Sequence, residues 1–458
     1  MRLFKQAMLV SALTLPLLAN ASQNEALQNL TDQYLSSHAI SEGITAVSLG
    51  VSTGPGNFQS YYAGRISTDP EAPTPNDNNL MQIGSITKSF TSILILQLEA
   101  QGKLNINDSI SQYLANLPAP WQNVTIKELL NMTSGIPDYD NNQTMVKEFV
   151  NNYNPGPHFT PEQEVNFAWQ YQAQSCPSNN CPDDGIFSPG TNWYYSNTNY
   201  ALAGMIVSKV TGQPMEYEVH NQLLAPNNLV NTFYLPYSYA DLSQSPWYPE
   251  YQLFNIPNRV IHGYDMGDPS LFPVGADMTN LDMSYAGAEG DITSNLHDVT
   301  QWIQDIFGQN STLRLTAQQY QELETPVCEN SSNNCIPGQP VKIGSNITDG
   351  YALGLGVAYL PIAGTDLPAL GTIWDYEGET FGHRFFWILI QQSPQNPKLR
   401  VPYLLITAEL NSAPAGQQDN IQCLALQAAE TVEGLPLSSF GCGNSAIFKS
   451  TRFNFIKP

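Results

Sequence analysis

Residues 86–100 form the segment that most restricts how this chain can fold. The segment has a helical pattern, and its apolar side chains cover most sides: Phe90, Ile93, Leu94, Ile95, Leu96 and Leu98. A helix that is apolar all round lies inside a protein rather than on its surface. The segment is therefore predicted to be a central buried helix, which Gly102 ends.

Strand patterns lie near both ends of the chain. Two strands are predicted at 44–51 and 58–62, joined by the turn Thr53-Gly54-Pro55-Gly56. Strand patterns return after residue 350, and a final helix follows them: 351–359, 370–376, 384–391 and 403–407, then 417–433. This order favours an α+β fold (an α/β sandwich), in which one antiparallel sheet is built from both chain ends and flanked by helices.

The middle of the chain predicts an inserted, mostly helical lobe. One helix is predicted before the first strand and three more in the middle: 24–37, 126–132, 200–209 and 295–307, the last with Asn295 as its N-cap. Loops rich in Pro, Asn and Tyr, at 150–190 and 233–285, are predicted to be surface insertions. The predicted domain, 22–458, thus comprises an α/β lobe, at 22–84 and 310–458, and a helical lobe at about 85–309.

The first 21 residues have the pattern of a signal peptide. Arg2 and Lys5 precede an apolar run at 7–18, and Ala19-Asn20-Ala21 offers small residues for cleavage. A retained N-terminal anchor is the alternative, although the apolar run is short for a membrane span. A periplasmic or secreted protein is predicted, with no membrane insertion of the mature chain.

The charge balance excludes some partners. The chain has 40 acidic and 17 basic residues, a formal net charge of −23 at pH 7, and loss of Arg2 and Lys5 makes it two units more negative. Such a surface repels nucleic acid and anionic membranes. Neither is therefore expected as a partner.

Six cysteines follow the signal segment, an even number that favours disulfides in an exported chain. Fifteen pairings are possible. The simplest is short-range: Cys176–Cys181, Cys328–Cys335 and Cys423–Cys442. Metal binding is the rival interpretation, but no Cys-x-x-Cys pair or nearby histidine completes a tetrahedral set.

Ser85 and Lys88 begin the buried helix with the spacing Ser-x-x-Lys. A serine hydroxyl needs a base within hydrogen-bond reach, and residues three apart on a helix share a face. Burial lowers the pKa of a lysine, which lets the amine accept a proton. Alone, the pattern also fits an N-cap serine with an exposed lysine. A short strand and a glycine before a buried helix favour the catalytic interpretation.

Two further segments can complete a hydrolytic site. Tyr195 could relay protons, and Asn197 could hold Lys88 and a substrate amide; aromatic packing in a turn is the alternative. Residues 376–379, Tyr-Glu-Gly-Glu, could supply a backbone N–H that completes an oxyanion hole with the N–H of Ser85. An ordinary hairpin is the alternative for this segment.

In this order, the three segments resemble the serine β-lactamase and penicillin-recognising hydrolase superfamily. The resemblance is nearest to class C β-lactamases, related D-Ala-D-Ala carboxypeptidases and their esterase relatives. It extends through most of the chain, above all at 82–91 (QIGSITKSFT), 129–137 (LLNMTSGIP) and 195–197 (YSN). Met132 stands where the family usually has histidine.

The resemblance implies a role for each site residue. Ser85 would be acylated, Lys88 and Tyr195 would share the base and acid steps, and Asn197 would contact the substrate. The substrate-binding strand would comprise Tyr376, Gly378 and Glu379, and the amides of Ser85 and Glu379 would bind the oxyanion.

The third segment departs from the family pattern of Lys or His, any residue, then Gly. A cation at the first position attracts a substrate carboxylate. Tyr376 offers only a neutral hydrogen bond, and Glu377 would add repulsion if it faced the substrate. His383 and Arg384 follow closely and are candidates for the missing cation.

The sequence therefore predicts acyl transfer to water on a peptide, amide or ester. A D-Ala-D-Ala carboxypeptidase-like peptidase is the first specific hypothesis, and an esterase or β-lactamase on the same site is the alternative. A non-catalytic ligand-binding homologue is the hypothesis of another class. The six histidines show no ligand spacing, so neither a metal nor an organic cofactor is predicted.

Overall fold

The computed structural model describes residues 2–267, 269–331, 334–360, 371–391, 400–414 and 420–437. Its strands are β1 (Ala46–Ser52), β2 (Phe58–Gly64), β3 (Met81–Gln82), β4 (Phe233–Tyr234), β5 (Tyr264–Met266), β6 (Ala276–Asp277), β7 (Ile292–Ser294), β8 (Asp349–Tyr351), β9 (Gly356–Leu360), β10 (Gly371–Glu379), β11 (Arg384–Gln391), β12 (Tyr403–Leu410) and β13 (Ser412–Pro414). Seven of these strands form one antiparallel sheet, in the order β2-β1-β12-β11-β10-β9-β8.

The two ends of the chain meet inside this sheet. Strand β1 pairs with β2 on one side and with β12 on the other, so that Val47 lies between Ala63 and Leu410. The prediction of one antiparallel sheet built from both chain ends is thereby confirmed.

Helices cover both faces of the sheet. They are α1 (Arg2–Glu42), α2 (Thr87–Ala100), α3 (Ile126–Leu130), α4 (Gln143–Asn151), α5 (Pro161–Ser175), α6 (Thr198–Thr211), α7 (Met215–Glu218), α8 (Tyr248–Phe254), α9 (Gly287–Gly290), α10 (Leu296–Phe307), α11 (Ala317–Leu323) and α12 (Asn420–Glu433). Helices α1 and α12 pack together on the sheet, and α10 contacts β1 and β12. The predicted α+β class is confirmed.

Strand β11 shows how the sheet separates two cores. Phe385, Trp387 and Leu389 belong to the core that also contains α2, while the alternate residues belong to the core under α1 and α12. Successive side chains of a strand point to opposite faces. A strand buried on both faces is therefore a continuous apolar run, as residues 385–390 are.

Helix α2 lies in the interior, as predicted. Every residue from Thr87 to Glu99 is buried. The ring of Phe90 stacks on Trp302 of α10, with 4.0 Å between ring centroids. Asn295 caps α10 as expected, because its side chain accepts a hydrogen bond from the N–H of Asp298 at 2.8 Å.

Several predicted elements differ from the observed ones. The strand predicted at 351–359 is two strands, β8 and β9, because Gly354 adopts φ +76° and the chain turns back between them. The loops predicted at 150–190 and 233–285 contain the helices α5 and α8. Helix α5 begins with a capping box between Thr160 and Gln163 and a proline at its first turn, which are recognised signals of a helix start.

Two of the predicted disulfides are present, Cys176–Cys181 and Cys328–Cys335. Cys423 is also disulfide-bonded, while its predicted partner Cys442 lies outside the described residues. Disulfides are consistent with an extracellular or periplasmic location. Among the described residues from 21 onwards, no helix has the length and apolar character needed to cross a membrane.

Candidate active site

Ser85 lies in a short 3-10 turn, Gly84–Ile86, directly before α2. The chain enters this turn from β3, and the N–H of Ile83 donates to the carbonyl of Ile292 at 2.9 Å. Gly84 has φ +51°, and a Cβ at this position would lie 2.6 Å from the backbone nitrogen and oxygen of Glu379. The turn therefore requires glycine. It fixes the Ser85 hydroxyl at the beginning of a buried helix.

Lys88 lies one helical turn after Ser85, with its Nζ 3.1 Å from Ser85 Oγ. The same nitrogen donates to Asn197 Oδ1 at 2.7 Å and to the carbonyl oxygen of Glu289 at 3.0 Å. The side chain is fully buried. Burial lowers the Lys88 pKa to about 7, against the opposing effect of nearby acidic groups. A large fraction of this amine is consequently unprotonated at neutral pH.

Tyr195 approaches Ser85 from the loop before α6. Its hydroxyl lies 2.7 Å from Ser85 Oγ, and its ring centroid lies 4.9 Å from Lys88 Nζ. The loop is held by Met132, whose sulfur accepts the backbone N–H of Ser196. Burial raises the Tyr195 pKa well above 10, so the side chain is a neutral phenol.

Asn197 links Lys88 to two acidic residues that sequence reasoning missed. Its Nδ2 donates to Asp140 Oδ2 at 3.0 Å and to Asp138 Oδ2 at 3.3 Å. Both aspartates are buried and follow directly after the segment 129–137. Two carboxyl groups next to a family-like segment were the signal that could have identified them.

Three more buried carboxyl groups lie near this pair: Glu164, Glu289 and Asp291. Glu289 Oε1 accepts the hydroxyl of Tyr139 at 2.7 Å. Burial raises the pKa of Glu289 to about 8 and that of Glu164 well above its usual range. Most of these groups are therefore protonated at neutral pH. In the part of the chain that the structure describes, no such group of residues is arranged to hold a metal ion.

The end of β10 lies against the Ser85 turn. A Cβ on Gly378 would lie 1.8 Å from the carbonyl oxygen of Ile83 and 3.1 Å from the backbone nitrogen of Ser85. The missing side chain thus lets the two backbones approach. The backbone nitrogens of Ser85 and Glu379 are brought to the same small region, as an oxyanion site requires.

Tyr376 and Glu377 point to opposite faces of β10. The Tyr376 hydroxyl lies 2.9 Å from that of Tyr351, in the core next to Tyr195. Glu377 lies on the other face, where its Oε2 accepts from Gln422 of α12 at 2.8 Å. Strand alternation therefore removes the repulsion that the sequence suggested for Glu377.

His383 and Arg384 do not replace the missing cation. Arg384 is buried and donates to Glu42 at 2.6 Å and to the carbonyl of Ser412 at 2.8 Å. The Nε2 of His383 lies 2.9 Å from the carbonyl oxygen of Ile261, and burial lowers the His383 pKa to about 4. This candidate role is wrong for both residues, because each is held in other contacts.

The model of the Beta-lactamase family, described as Beta-lactamase, matches residues 27–393, a range that contains Ser85, Lys88, Tyr195, Asn197 and residues 376–379. The chain belongs to the Beta-lactamase family. The resemblance to β-lactamases and penicillin-recognising proteins is thereby confirmed.

Curated relatives of this Beta-lactamase family chain match over shorter regions. Penicillin-binding protein 4* of Bacillus subtilis (strain 168) is 30% identical over 155 residues, which cover 34% of this chain and 30% of that protein. Protein flp of Staphylococcus aureus (strain NCTC 8325 / PS 47) is 28% identical over 195 residues, covering 39% of this chain and 35% of its own length. The matches thus span about a third of each relative.

Solved structures show the same fold over nearly the whole chain. D-amino acid amidase from Ochrobactrum anthropi SV3 has a TM-score of 0.63 at 19% identity, covering 90% of this chain and 98% of that one. The D-stereospecific amidohydrolase from Streptomyces sp. has a TM-score of 0.61 at 21% identity, covering 87% and 98%. A penicillin-binding protein homologue from Pyrococcus abyssi has a TM-score of 0.63 at 18% identity, covering 90% and 78%.

Proposed function

We propose that this Beta-lactamase family protein is an exported serine hydrolase that transfers an acyl group to water through an ester on Ser85. The observation that carries the proposal is the buried convergence of Lys88 Nζ and the Tyr195 hydroxyl on Ser85 Oγ, at 3.1 and 2.7 Å. A nucleophile within hydrogen-bond reach of an amine of lowered pKa is the arrangement that activates a serine. A protein that only binds ligands needs neither contact.

Lys88 is the proposed base for the first step. Ser85 Oγ adds to the substrate carbonyl carbon while its proton passes to Lys88 Nζ, which burial keeps partly unprotonated. The carbonyl oxygen becomes an oxyanion next to the N–H groups of Ser85 and Glu379. The bond to the leaving group then breaks, and that group takes the proton through the Tyr195 hydroxyl. Water, activated by the same residues, cleaves the ester.

The proposed substrate is an amide or ester that needs no carboxylate next to the scissile bond. Tyr376 occupies the position where the family usually has a cation, and Arg384 and His383 are held elsewhere. The names of the amidohydrolase and the amidase with this fold suggest amides of D-amino acids as the first compounds to test. A D-Ala-D-Ala carboxypeptidase is the second candidate, suggested by the named penicillin-binding relative.

The experiment for the nucleophile is intact-mass analysis after exposure to a fluorophosphonate and, separately, to penicillin. Wild-type protein should gain one phosphonyl adduct, and Ser85→Ala should gain none. An adduct that persists in Ser85→Ala would reject the nucleophile. A wild-type protein without any adduct would favour the ligand-binding hypothesis.

A matched pair of substrates separates amidase from carboxypeptidase. N-acetyl-D-Ala-D-Ala and its C-terminal carboxamide differ only in the charged group. We expect kcat/KM to be higher for the carboxamide. Faster cleavage of the free acid, or rapid turnover of nitrocefin, would instead support the carboxypeptidase or β-lactamase alternative.

A further inference from the structure

The Asn197 side chain lies between one amine and two carboxyl groups. Its Oδ1 accepts from Lys88 Nζ at 2.7 Å, and its Nδ2 donates to Asp140 and Asp138. A side-chain amide can rotate to exchange its oxygen and its nitrogen. Because the carboxyl groups of Asp138 and Asp140 both accept hydrogen bonds, the end of the Asn197 amide that faces them is its nitrogen. The amide oxygen then faces Lys88.

The two carboxyl groups have unequal hydrogen bonding. Asp138 accepts from the backbone N–H of Asn197 at 3.2 Å, from its Nδ2 at 3.3 Å, and from the backbone N–H of Asp140 at 3.3 Å. Asp140 accepts from Asn197 Nδ2, while its buried Oδ1 has no hydrogen-bond partner among the residues that the structure describes. Donated hydrogen bonds stabilise a carboxylate, so the negative charge belongs on Asp138.

Other titratable groups surround Lys88 and this pair: Tyr139, Glu164, Tyr194, Tyr195, Tyr200 and Glu289, with Asp291 behind Glu289. The four tyrosines are neutral at pH 7, because burial raises the pKa of each one. Burial raises the Glu289 pKa to about 8 but the Asp138 pKa only to about 6. Asp138 is therefore the ionised carboxyl group of this cluster at neutral pH.

We propose that Asp138 is the counter-charge and positioning residue for Lys88, and that it acts through the amide of Asn197. It fixes the Asn197 oxygen on Lys88 and stabilises the ammonium that forms when Ser85 gives up its proton. Asp140 is the protonated partner that accepts the second N–H of the same amide. This role rests on the proposed function, since it serves the proton transfer from Ser85.

The deciding measurement is the titration midpoint of Lys88, followed by NMR on protein with ¹³C at lysine Cε. The Lys88 signal is assigned by its absence in Lys88→Arg. Asp138 is the N-cap of the short 3-10 helix Tyr139–Asn141, and Asp138→Asn keeps a capping oxygen there but removes the charge. Loss of a nearby negative charge destabilises the ammonium, so the midpoint should fall by about one pH unit. Asp140 contacts the same amide but is the protonated partner, so Asp140→Asn should shift the Lys88 midpoint less.

Activity gives the second measurement. The kcat of Asp138→Ala should fall about 100-fold, because the Asn197 amide loses the acceptor that orients it. Glu409→Gln replaces a buried carboxyl group on β12 that burial keeps mostly protonated at neutral pH, and it serves as the control for substitution of a buried acid, with unchanged kcat and midpoint. A merely structural role for Asp138 would lower the amount of active protein without moving the Lys88 midpoint.

The outcomes separate this inference from the proposed function. An unchanged Lys88 midpoint in Asp138→Asn, or an equal shift in Asp140→Asn, would overturn the assignment of the charge, whatever the activity. A shifted midpoint in a protein that forms no Ser85 adduct would overturn the proposed hydrolysis and leave the counter-charge in place.

Discussion

At the scale of single residues, the protonation state of Lys88 decides when the site can work. The proposed base must be neutral before it can take the proton of Ser85, and burial lowers its pKa to about 7. The expected kcat/KM for an uncharged amide therefore rises with pH through about 7 and falls in more acidic solution. Stopped-time assays that give kcat/KM at each pH from 5 to 9 measure this increase.

Lys88→Arg is the control for that profile. A guanidinium stays charged at every pH of the assay, so the rate should fall by about 10²- to 10⁴-fold and the rising limb should disappear. If wild-type activity were instead flat between pH 5 and pH 8, Lys88 would not be the base.

Gly378 is a second residue on which the chemistry depends. A Cβ at this position would collide with the carbonyl oxygen of Ile83, at 1.8 Å, so β10 must move away from the Ser85 turn. Gly378→Ala should displace one oxyanion donor and lower kcat by about 10²- to 10³-fold. The fluorophosphonate labelling rate and kcat should fall together. Gly344→Ala is the control, because the backbone of Gly344 is outside the left-handed region and a Cβ there meets no atom within 4 Å.

Residue patterns in the sequence predicted the contact between Ser85 and Lys88, which are close together in the chain, but not every contact between distant segments. Ser85 and Lys88 are three apart on one helix, so their contact follows from local geometry. Asp138 is 59 positions from Asn197, and only the fold brings them together. The orientation of Glu377 depended on the register of β10, since a shift of one residue exchanges the two faces of a strand.

At the scale of elements, a buried ion pair joins the end of α1 to the beginning of β11. Arg384 and Glu42 have side chains only 2% and 0% exposed, with 2.6 Å between their charged atoms. Glu42→Gln removes the carboxylate that contacts the buried guanidinium at 2.6 Å and should lower the free energy of unfolding by about 3–5 kcal/mol. Urea denaturation measures this loss.

The double variant Glu42→Leu with Arg384→Met tests whether the loss comes from the positive charge that Glu42→Gln keeps in the interior. Apolar side chains of similar volume remove both charges, so the double variant should be more stable than Glu42→Gln. The opposite order would mean that the pair itself supplies the stability at this junction.

Elements were predicted best where one pattern dominated. The buried run of α2 and the continuous apolar strand β11 were both found. Helix α5 differs from the predicted loop because its polar and aromatic composition has no clear apolar periodicity, and only the capping box at Thr160 marks its start. Gly354 marked the turn between β8 and β9, but an apolar run on both sides of it suggested one strand.

At the scale of the whole molecule, buried acidic side chains outnumber buried basic ones among the residues that the structure describes. Burial raises the pKa of Asp375 and Glu216 to about 7 and that of Glu289 and Glu409 to about 8. In the unfolded chain such groups titrate near pH 4. Between these values the folded protein holds protons that the unfolded chain releases, so the stability they contribute at low pH is lost as the pH rises through 7 and 8.

Two buried bases act in the opposite direction. The Lys88 pKa is lowered to about 7, so its burial costs less stability as the pH rises above 7 towards 10. The lowered pKa of His383 costs stability only below about pH 6.5. Between pH 6.5 and pH 8, the loss of stability from the several buried carboxyl groups exceeds the gain from Lys88 alone. The increasing negative charge of the protein adds repulsion in the same direction. The melting temperature should therefore be higher at pH 6.5 than at pH 8, and Glu409→Gln should reduce the difference. A melting temperature that increased over this range would show that these carboxyl groups are already ionised in the folded protein.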